Sequence, residues 1–327
     1  MDRLTFLLGG LGLSLSDVAV ISQSTTKKSL DSNLTGGISK ERFAATAKRI
    51  RDKYPSLAKY IEALCVIPSG DFKMGGDVYA PRHKVSLSSF GLGATPVTVG
   101  LWKEYATAKL GGQMPPEPNP RAFNVANFNV GWQYLDHPIV CVNWDDCRKF
   151  CIWASEVSGL PLNLPSEAQW EYACRGGLPA NEYPWGPEID ESITRRFLTA
   201  NVWCSDSESG DIGGTGSVNR SMRIWRNHPW GLTDMVGNVF EWCQDKYDSD
   251  WYGRPEASGL DVVNLNSPPA VTITLEDGRT IDRTYRCVRG GSWVKAGLAF
   301  FQCDYRFGGY PIYRGDEFGF RLCAGPR

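Results

Sequence analysis

The feature that most constrains the fold of this chain is a C-terminal segment held between two short motifs. RGGSW (289–293) precedes the segment and GFRLC (319–323) follows it. The 25 residues between them, 294–318, are rich in aromatic residues and glycine. A solvated loop would favour Ser, Asn, Asp and Lys, and a half-buried strand would alternate apolar and polar residues. The composition of this C-terminal segment therefore favours a binding surface between two fixed ends.

Composition narrows the class of protein. The 327 residues carry a formal net charge of −1 and contain no run of Lys and Arg, so we expect no nucleic-acid partner. The chain has 42% hydrophobic residues, 12 Trp and 35 Gly, which suits a large core joined by many tight turns. We predict one large domain over residues 65–327, preceded by a partly helical appendage over residues 1–64.

The appendage begins with an apolar run, LTFLLGGLGLSLS (4–16). The run has the length of a signal peptide, but net-neutral residues precede it and no small-residue cleavage site follows. No stretch of the chain is long enough to span a membrane. A cell-surface, cytoplasmic or phage-particle location stays open, as does the oligomeric state. A helical stretch from about Ile38 to Leu64, interrupted at Pro55, packs either on the main domain or on a partner.

The remaining residues predict short strands and long loops around two main helices. Strands are expected over 67–75, 84–90, 236–242, 285–290 and 318–323, and a short helix over 98–109. The first main helix, 144–158, has Asn143 as its N-cap and ends at Gly159. The second begins at Ser166, which forms a capping box with Gln169. These elements define an α+β protein with much irregular structure.

The ten cysteines allow two interpretations. An even count permits disulfides, but disulfide frameworks are mainly a device of small secreted domains. Cys147 and Cys151 share one face of a helix, where a zinc site is conceivable, yet no CxxC motif accompanies them. We expect free cysteines packed as small apolar side chains, and the disulfide state is left open.

Six phrases, in chain order, carry a resemblance to a known family. They are IPSGDFKMGG (67–76), HPIVCVNWDDCRKFCIWAS (137–155), LPSEAQWEYACRGG (164–177), PWGLTDMVGNVFEWCQD (229–245), RGGSW and GFRLC. Together they resemble the formylglycine-generating enzyme (sulfatase-modifying factor) domain, a subtype of the C-type lectin fold. The resemblance covers about residues 66–325 and implies that fold.

The resemblance also bears on activity. Enzymes of the family use a cysteine pair after the GGS-aromatic motif, with copper and oxygen. The corresponding positions here are Lys295 and Phe300, and Cys303 has no partner at the required spacing. A related iron branch uses a His-x3-His helix, which the three histidines here do not form. We therefore expect no enzyme activity, no catalytic residue and no copper. The alternative is a formylglycine-generating-type oxidase that uses other residues.

The C-terminal segment further resembles the variable proteins of diversity-generating retroelements, which rewrite adenine-derived codons. Their fixed positions match Arg306, Pro311, Arg314 and GFR (319–321). The implied variable region covers about 290–323, and its ligand is macromolecular, most simply a protein. The predicted ligand-binding residues are Val294, Phe300, Tyr305, Phe307, Gly308, Gly309, Tyr310, Tyr313, Gly315, Asp316 and Glu317. The codons for Lys295, Gln302 and Glu317 cannot be reached by changing adenines in AAC, the usual template codon, so these three positions need a different template codon.

Five rings would anchor a ligand, at Phe300, Tyr305, Phe307, Tyr310 and Tyr313, because aromatic residues dominate interface hot spots. Asp316 and Glu317 would add charge at the rim. The alternative is that these rings fill the core, to which we assign Phe318 and Phe320.

A calcium site is the one cofactor that the resemblance implies. Asp234 and Glu241 would supply carboxylates, and Gly237 and Val239 would supply carbonyls, the oxygen donors that calcium prefers. A second, weaker match comprises Asn201, Val202 and Asp211. In either case the ion would be structural. The alternative is that Asp234 and Glu241 make only turn and backbone hydrogen bonds.

Overall fold

The computed structural model describes residues 37–76, 80–118, 129–178, 182–184, 186, 228–267, 271–274, 280–293 and 298–325. In these ranges the α-helices are α1 (Lys40–Ile50), α2 (Pro55–Glu62), α3 (Val99–Lys109), α4 (Trp144–Ser158) and α5 (Glu167–Cys174). The strands are β1 (Cys65–Ile67), β2 (Gly70–Gly76), β3 (Ala80–Leu87), β4 (Phe90–Leu92), β5 (Leu162–Asn163), β6 (Phe240–Lys246), β7 (Gly259–Leu260), β8 (Val271–Thr274), β9 (Thr280–Arg283), β10 (Arg286–Arg289), β11 (Arg306–Gly309), β12 (Phe318–Gly319) and β13 (Cys323–Ala324). The predicted α+β class is confirmed.

Four small sheets organise these strands. Their orders are β1-β4-β13-β5, β11-β10-β6-β12, β2-β3-β7 and β8-β9. The C-terminal segment supplies two strands of the second sheet: β11 pairs antiparallel with β10, and β12 pairs parallel with β6. The motif that follows places β13 between β4 and β5 in the first sheet. The segment thus joins the second sheet in its middle and at its C-terminal end, and the motif after it joins the first sheet.

Local sequence signals fix the two main helices. At the start of α4, Asn143 and Asp146 form a capping box, and Gly159 closes the helix in the left-handed conformation at φ 68°. At the start of α5, Ser166 and Gln169 form a second capping box. The first predicted cap is therefore a full capping box, and both predicted helix starts are confirmed.

The two N-terminal helices belong to the main body of the chain. Residues 40–327 form one compact unit, so the unit begins well before the predicted boundary at residue 65. Residues 51–54 separate α1 from α2, which begins at Pro55, as the proline predicts. The sequence left open whether this helical stretch packs on the main domain or on a partner, and α1 and α2 pack on the main domain. The apolar run at 4–16 lies outside the described residues.

Turn residues displace one predicted strand. The strand expected over 236–242 begins at Phe240, because Asp234, Gly237 and Asn238 have positive φ values of 52°, 75° and 60°. Such left-handed positions interrupt an extended strand. The nine described cysteines are buried and free, as expected for small apolar side chains. No helix among the described residues has the length and apolar character needed to cross a membrane.

Candidate functional site

A buried arginine ties the motif after the C-terminal segment to the loop at 231–241. Arg321 makes a two-pronged ion pair with Glu241, through Nε and an Nη atom at 2.6 Å each, and its guanidinium also donates to the carbonyls of Gly93, Thr233 and Asp234. Both side chains are almost fully enclosed. The segment therefore ends on a buried, charge-balanced contact.

Two further arginines fix the middle of the segment. Arg306 binds both carboxylate oxygens of Glu167 at 2.8 Å. Arg289, just before the segment, pairs with Glu171 at 2.5 Å and donates to the carbonyls of 303, 304 and 305. Burial alone would raise the pKa of Glu167, but the charges of Arg306 and Arg289 outweigh it and hold this pKa below its usual value.

The rest of the chain holds the second half of the segment through its main chain. Four donors bind four carbonyls of the segment: Trp144 N to Pro311 at 3.0 Å, Cys141 N to Gly315 at 2.9 Å, Trp293 Nε1 to Asp316 at 3.2 Å and Phe240 N to Glu317 at 2.8 Å. Such bonds do not depend on which side chain the accepting residue carries. The predicted fixed residue Arg314 pairs with Asp146 at the start of α4.

Several predicted ligand-binding side chains lie at the surface. Phe307 is 42% exposed and Tyr313 is 47% exposed, while Tyr310 is half-buried. Ile312, which was not predicted, is 61% exposed. Asp316 and Glu317 are half-buried next to Tyr313, whose pKa is raised by burial and by these two carboxylates. This exposed group forms a mixed aromatic and acidic surface.

Tyr305 is not a surface anchor. Its side chain is buried at 8% exposure, between the rings of Phe240 at 6.4 Å and Phe300 at 5.2 Å. Phe300 is half-buried. Phe240 also stacks on the exposed Phe307 at 6.0 Å. The core alternative is thus correct for Tyr305, while Phe307 extends the same aromatic cluster to the surface.

The three glycines differ in the room around them. A Cβ atom on Gly309 would lie 2.5 Å from the fully buried Trp242 ring, so this position cannot accept side chains freely. Gly315 is buried, but a Cβ there would meet the movable ends of Tyr313 and Glu317. At Gly308 the nearest atoms belong to Tyr247, at 2.8 Å. Gly309 therefore departs from its predicted role as a ligand-contacting position, and Val294 lies outside the described residues.

The predicted calcium loop already contains a partner for its main carboxylate. Both oxygens of Glu241 accept hydrogen bonds from Arg321, and one also accepts from Trp170 Nε1 at 2.8 Å. Asp234 is buried, and Asn238 donates to it at 3.4 Å. No group of three or more His, Cys, Asp and Glu in the described ranges is arranged to hold a metal. As placed, Glu241 does not fit calcium coordination, and calcium stays a prediction. Asn201, Val202 and Asp211 lie outside the described residues.

The positions that correspond to the catalytic cysteines offer no thiol. Phe300 packs in the aromatic cluster, and Lys295 lies outside the described residues. Cys303 is buried with its Sγ atom 3.1 Å from that of Cys174. Burial and the neighbouring Cys174 raise the pKa of Cys303 well above its usual value, which disfavours the nucleophilic thiolate.

Sequence reasoning missed three residues beside the segment. Trp144 is half-buried at the first position of α4, and its backbone amide binds Pro311. Arg286 on β10 and Arg148 on α4 both approach the Trp144 ring. The position of Trp144 directly after the N-cap could have identified it, because the rest of the protein only partly covers a side chain in the first turn of a helix.

Comparison with known proteins establishes the family. In solved structures, the fold resembles Treponema denticola variable protein 1 with a TM-score of 0.58 at 22% identity, covering 80% of this chain and 95% of that one. The family model of the sulfatase-modifying factor enzyme 1-like domain matches residues 52–325. The chain belongs to this family, and the predicted formylglycine-generating-enzyme subtype of the C-type lectin fold is confirmed.

Two curated relatives show the range of proteins that carry this domain. Serine/threonine-protein kinase pkn1 of Chlamydia pneumoniae is 26% identical over 90% of this chain and 45% of its own length. The formylglycine-generating enzyme of Thermomonospora curvata is 35% identical over 49% of this chain and 45% of its own length. The chain thus spans about half the length of these curated relatives.

Proposed function

We propose that the chain is a non-enzymatic ligand-binding protein whose C-terminal segment is diversified by a retroelement. One observation carries this proposal. The segment is anchored through its carbonyls and through Arg289, Arg306 and Arg321, while Phe307 and Tyr313 expose their side chains. Because the anchors do not involve those side chains, their identity can change without loss of the fold.

The chemistry of the exposed residues suits recognition of a macromolecule, most simply a protein. Tyrosine and phenylalanine supply large, rigid contact areas with little loss of side-chain entropy. Phe307, Tyr310 and Tyr313 would form the apolar centre of the interface, with Asp316 and Glu317 at its edge. The positions proposed for diversification are therefore these five.

Sequencing the DNA that flanks the gene tests the proposal. We expect a near-copy of the stretch encoding 290–320, differing where the copy has adenine, beside a reverse-transcriptase gene. The differences should fall on the codons of Phe307, Tyr310 and Tyr313 and spare those of Arg306 and Arg321. Absence of such a copy, or differences concentrated on the arginine codons, would refute programmed diversification.

The second candidate is a formylglycine-generating-type oxidase, favoured by the 35% identity to the Thermomonospora curvata enzyme. Phe300 stands where that chemistry needs a thiol, so an oxidase would have to use other residues. The test is oxygen consumption with a cysteine-containing peptide and copper. We expect no turnover above the copper-only background, and sustained turnover would establish the oxidase instead.

A further inference from the structure

Two arginines approach one tryptophan at the edge of the C-terminal segment. The guanidinium carbon of Arg286 lies 3.8 Å from the centroid of the Trp144 ring, and that of Arg148 lies 5.6 Å from it. Trp144 and Arg148 belong to α4, and Arg286 opens β10. All three side chains are half-buried and reach solvent. They form what we name the Arg–Trp–Arg stack.

The stack holds two positive charges without a contacting carboxylate in the described part of the chain. Arg286 donates to the carbonyl of Gln244 at 2.9 Å, and Arg148 donates to the side-chain oxygen of Asn163. Both acceptors are neutral. Burial lowers the pKa of Arg286, the charge of the buried Asp245 opposes this, and the nearby charge of Arg148 lowers the pKa further. An anion that contacts both guanidinium groups would relieve this repulsion.

Two carboxylates lie close enough to influence Arg286, and neither neutralises the stack by contact. Asp245 is buried, and its oxygens accept from the backbone amides of Glu167 and Asn264. Asp145, at the N-terminal turn of α4, is exposed to solvent. Asp245 is therefore enclosed and already accepts two backbone hydrogen bonds, and the exposed Asp145 would repel an incoming anion.

The stack borders the exposed side chains of the C-terminal segment. The backbone amide of Trp144 binds the carbonyl of Pro311 at 3.0 Å, and Arg286 pairs with Gly309 across the sheet. Tyr285, next to Arg286, lies 6.2 Å from the ring of Tyr310. Phe307 lies two residues before Gly309 on β11 and therefore shares the face of the sheet that carries Arg286. A ligand that covers the exposed Phe307 would therefore reach the stack as well.

We propose that the Arg–Trp–Arg stack is a fixed anion-binding site of the ligand-binding surface and takes a carboxylate of an acidic protein partner. The inference rests on the proposed function, because it assigns partner chemistry to the same surface. Guanidinium groups match the geometry of a carboxylate, and stacking on an indole orients them beforehand. The exposed Phe307 on the same face of the sheet suits a protein partner, whereas two arginines are too few for the extended phosphate contacts of a nucleic acid.

Fluorescence anisotropy with the full chain tests the site. The probe is a labelled octaglutamate peptide with blocked ends, and the comparison probe is octaglutamine with a free C-terminal carboxylate. Arg148→Gln and Arg286→Gln should each weaken octaglutamate binding about tenfold, the loss expected for a charge-assisted hydrogen bond. Asp145→Asn should strengthen it. Equal binding of the octaglutamine probe would assign the site to a terminal carboxylate.

Lys149→Gln is the matched control, because Lys149 follows Arg148 on α4 and carries the same charge but is exposed. Its affinity should stay within about twofold of the unmodified chain. Arg286→Lys keeps the positive charge but loses the planar guanidinium group, so the affinity of this variant should lie between those of the unmodified chain and Arg286→Gln. Equal losses from Lys149→Gln and Arg286→Gln, or no binding by the unmodified chain, would overturn the proposal. Tighter, arginine-dependent binding of a heparin oligosaccharide would overturn its assignment to a protein partner.

The two proposals fail separately. A flanking template copy together with no octaglutamate binding would leave diversification in place and remove the anion site. Arginine-dependent binding without a template copy would leave the anion site and remove programmed diversification. Thermal unfolding followed by circular dichroism checks that each variant is folded before its affinity is compared.

Discussion

At the scale of single residues, the arginine of the GFR motif is needed because it completes a buried ion pair. Arg321 and Glu241 are enclosed from solvent, and each would be an uncompensated charge without the other. The guanidinium also satisfies three carbonyls from two other loops. The motif therefore closes the fold after a segment that exposes the side chains of Phe307 and Tyr313.

Glu241→Gln should lower the free energy of unfolding by about 3 kcal/mol or more, because it leaves Arg321 buried without a counter-charge. Urea unfolding at neutral pH measures this change. Glu62→Gln is the control, since Glu62 pairs with Arg51 at 2.7 Å with both side chains 51% exposed. That exposed pair contributes less than about 1 kcal/mol. Equal effects of the two substitutions would contradict the structural role of Arg321.

Two tyrosines of the C-terminal segment should respond differently to truncation. Tyr305→Ala should cost about 3 kcal/mol or more of stability, because a buried ring leaves a cavity beside Phe240. Tyr313→Ala should cost less than about 1 kcal/mol and instead weaken ligand binding. Urea unfolding of both variants checks the first part. A large loss of stability with Tyr313→Ala would place its ring in the core.

The sequence did not distinguish these two tyrosines. Both lie in the same aromatic and glycine-rich segment, and local pattern gives them the same role. The difference comes from Phe240, which lies far from them in sequence, and from Phe300. Gly309 is similar, because the Trp242 ring that excludes a side chain there belongs to another strand.

At the scale of elements, local signals predicted what local contacts determine. The capping residues Asn143 and Ser166 fixed the starts of two helices, and each bonds within its own first turn. The strand expected from Val236 begins four residues later because left-handed turn residues precede it. Packing of α1 and α2 was left open, since it depends on contacts with residues far along the chain.

The contacts that α1 and α2 make with residues far along the chain predict what happens when residues 1–64 are removed. The Tyr60 hydroxyl donates to the carbonyl of Thr95 at 2.7 Å and accepts from the amide of Leu322 at 3.2 Å. Phe43 is fully buried and packs against Gly91 of β4. A chain of residues 65–327 would expose this surface of the first sheet, so we expect it to aggregate or lose cooperative unfolding.

The control for this truncation is a chain of residues 40–327, which keeps α1 and α2 and the compact unit. It should unfold in one cooperative transition in circular dichroism. If the 65–327 chain unfolds with the same midpoint as the 40–327 chain, the two helices do not contribute to the core.

At the scale of the whole molecule, a fixed body surrounds a segment with exposed side chains. Three buried arginine–glutamate pairs and a set of main-chain hydrogen bonds position that segment. The same fold serves proteins described as enzymes and as variable proteins. Membership of this family therefore does not by itself decide the function, which has to be argued from the side chains of the site.

The accessibility of the thiols distinguishes a thiol-dependent oxidase from a non-enzymatic binding protein. Each of the nine described cysteines is buried, and burial raises the pKa of Cys141 to about 12 and that of Cys303 well above its usual value. Thiolates react, and enclosed thiols do not. We expect N-ethylmaleimide at pH 8 to leave these nine unlabelled in the native protein and to label them fully in denaturant.

Peptide mapping by mass spectrometry assigns the labelled positions one by one, with the denatured sample as the reference for complete reaction. An oxidase that depends on one of these thiols needs a thiolate that substrate can reach, and such a thiolate would be labelled within minutes. Rapid native labelling of Cys303, which lies in the C-terminal segment, would therefore argue for catalysis at this surface. Protection of all nine would argue against catalysis by any of these thiols.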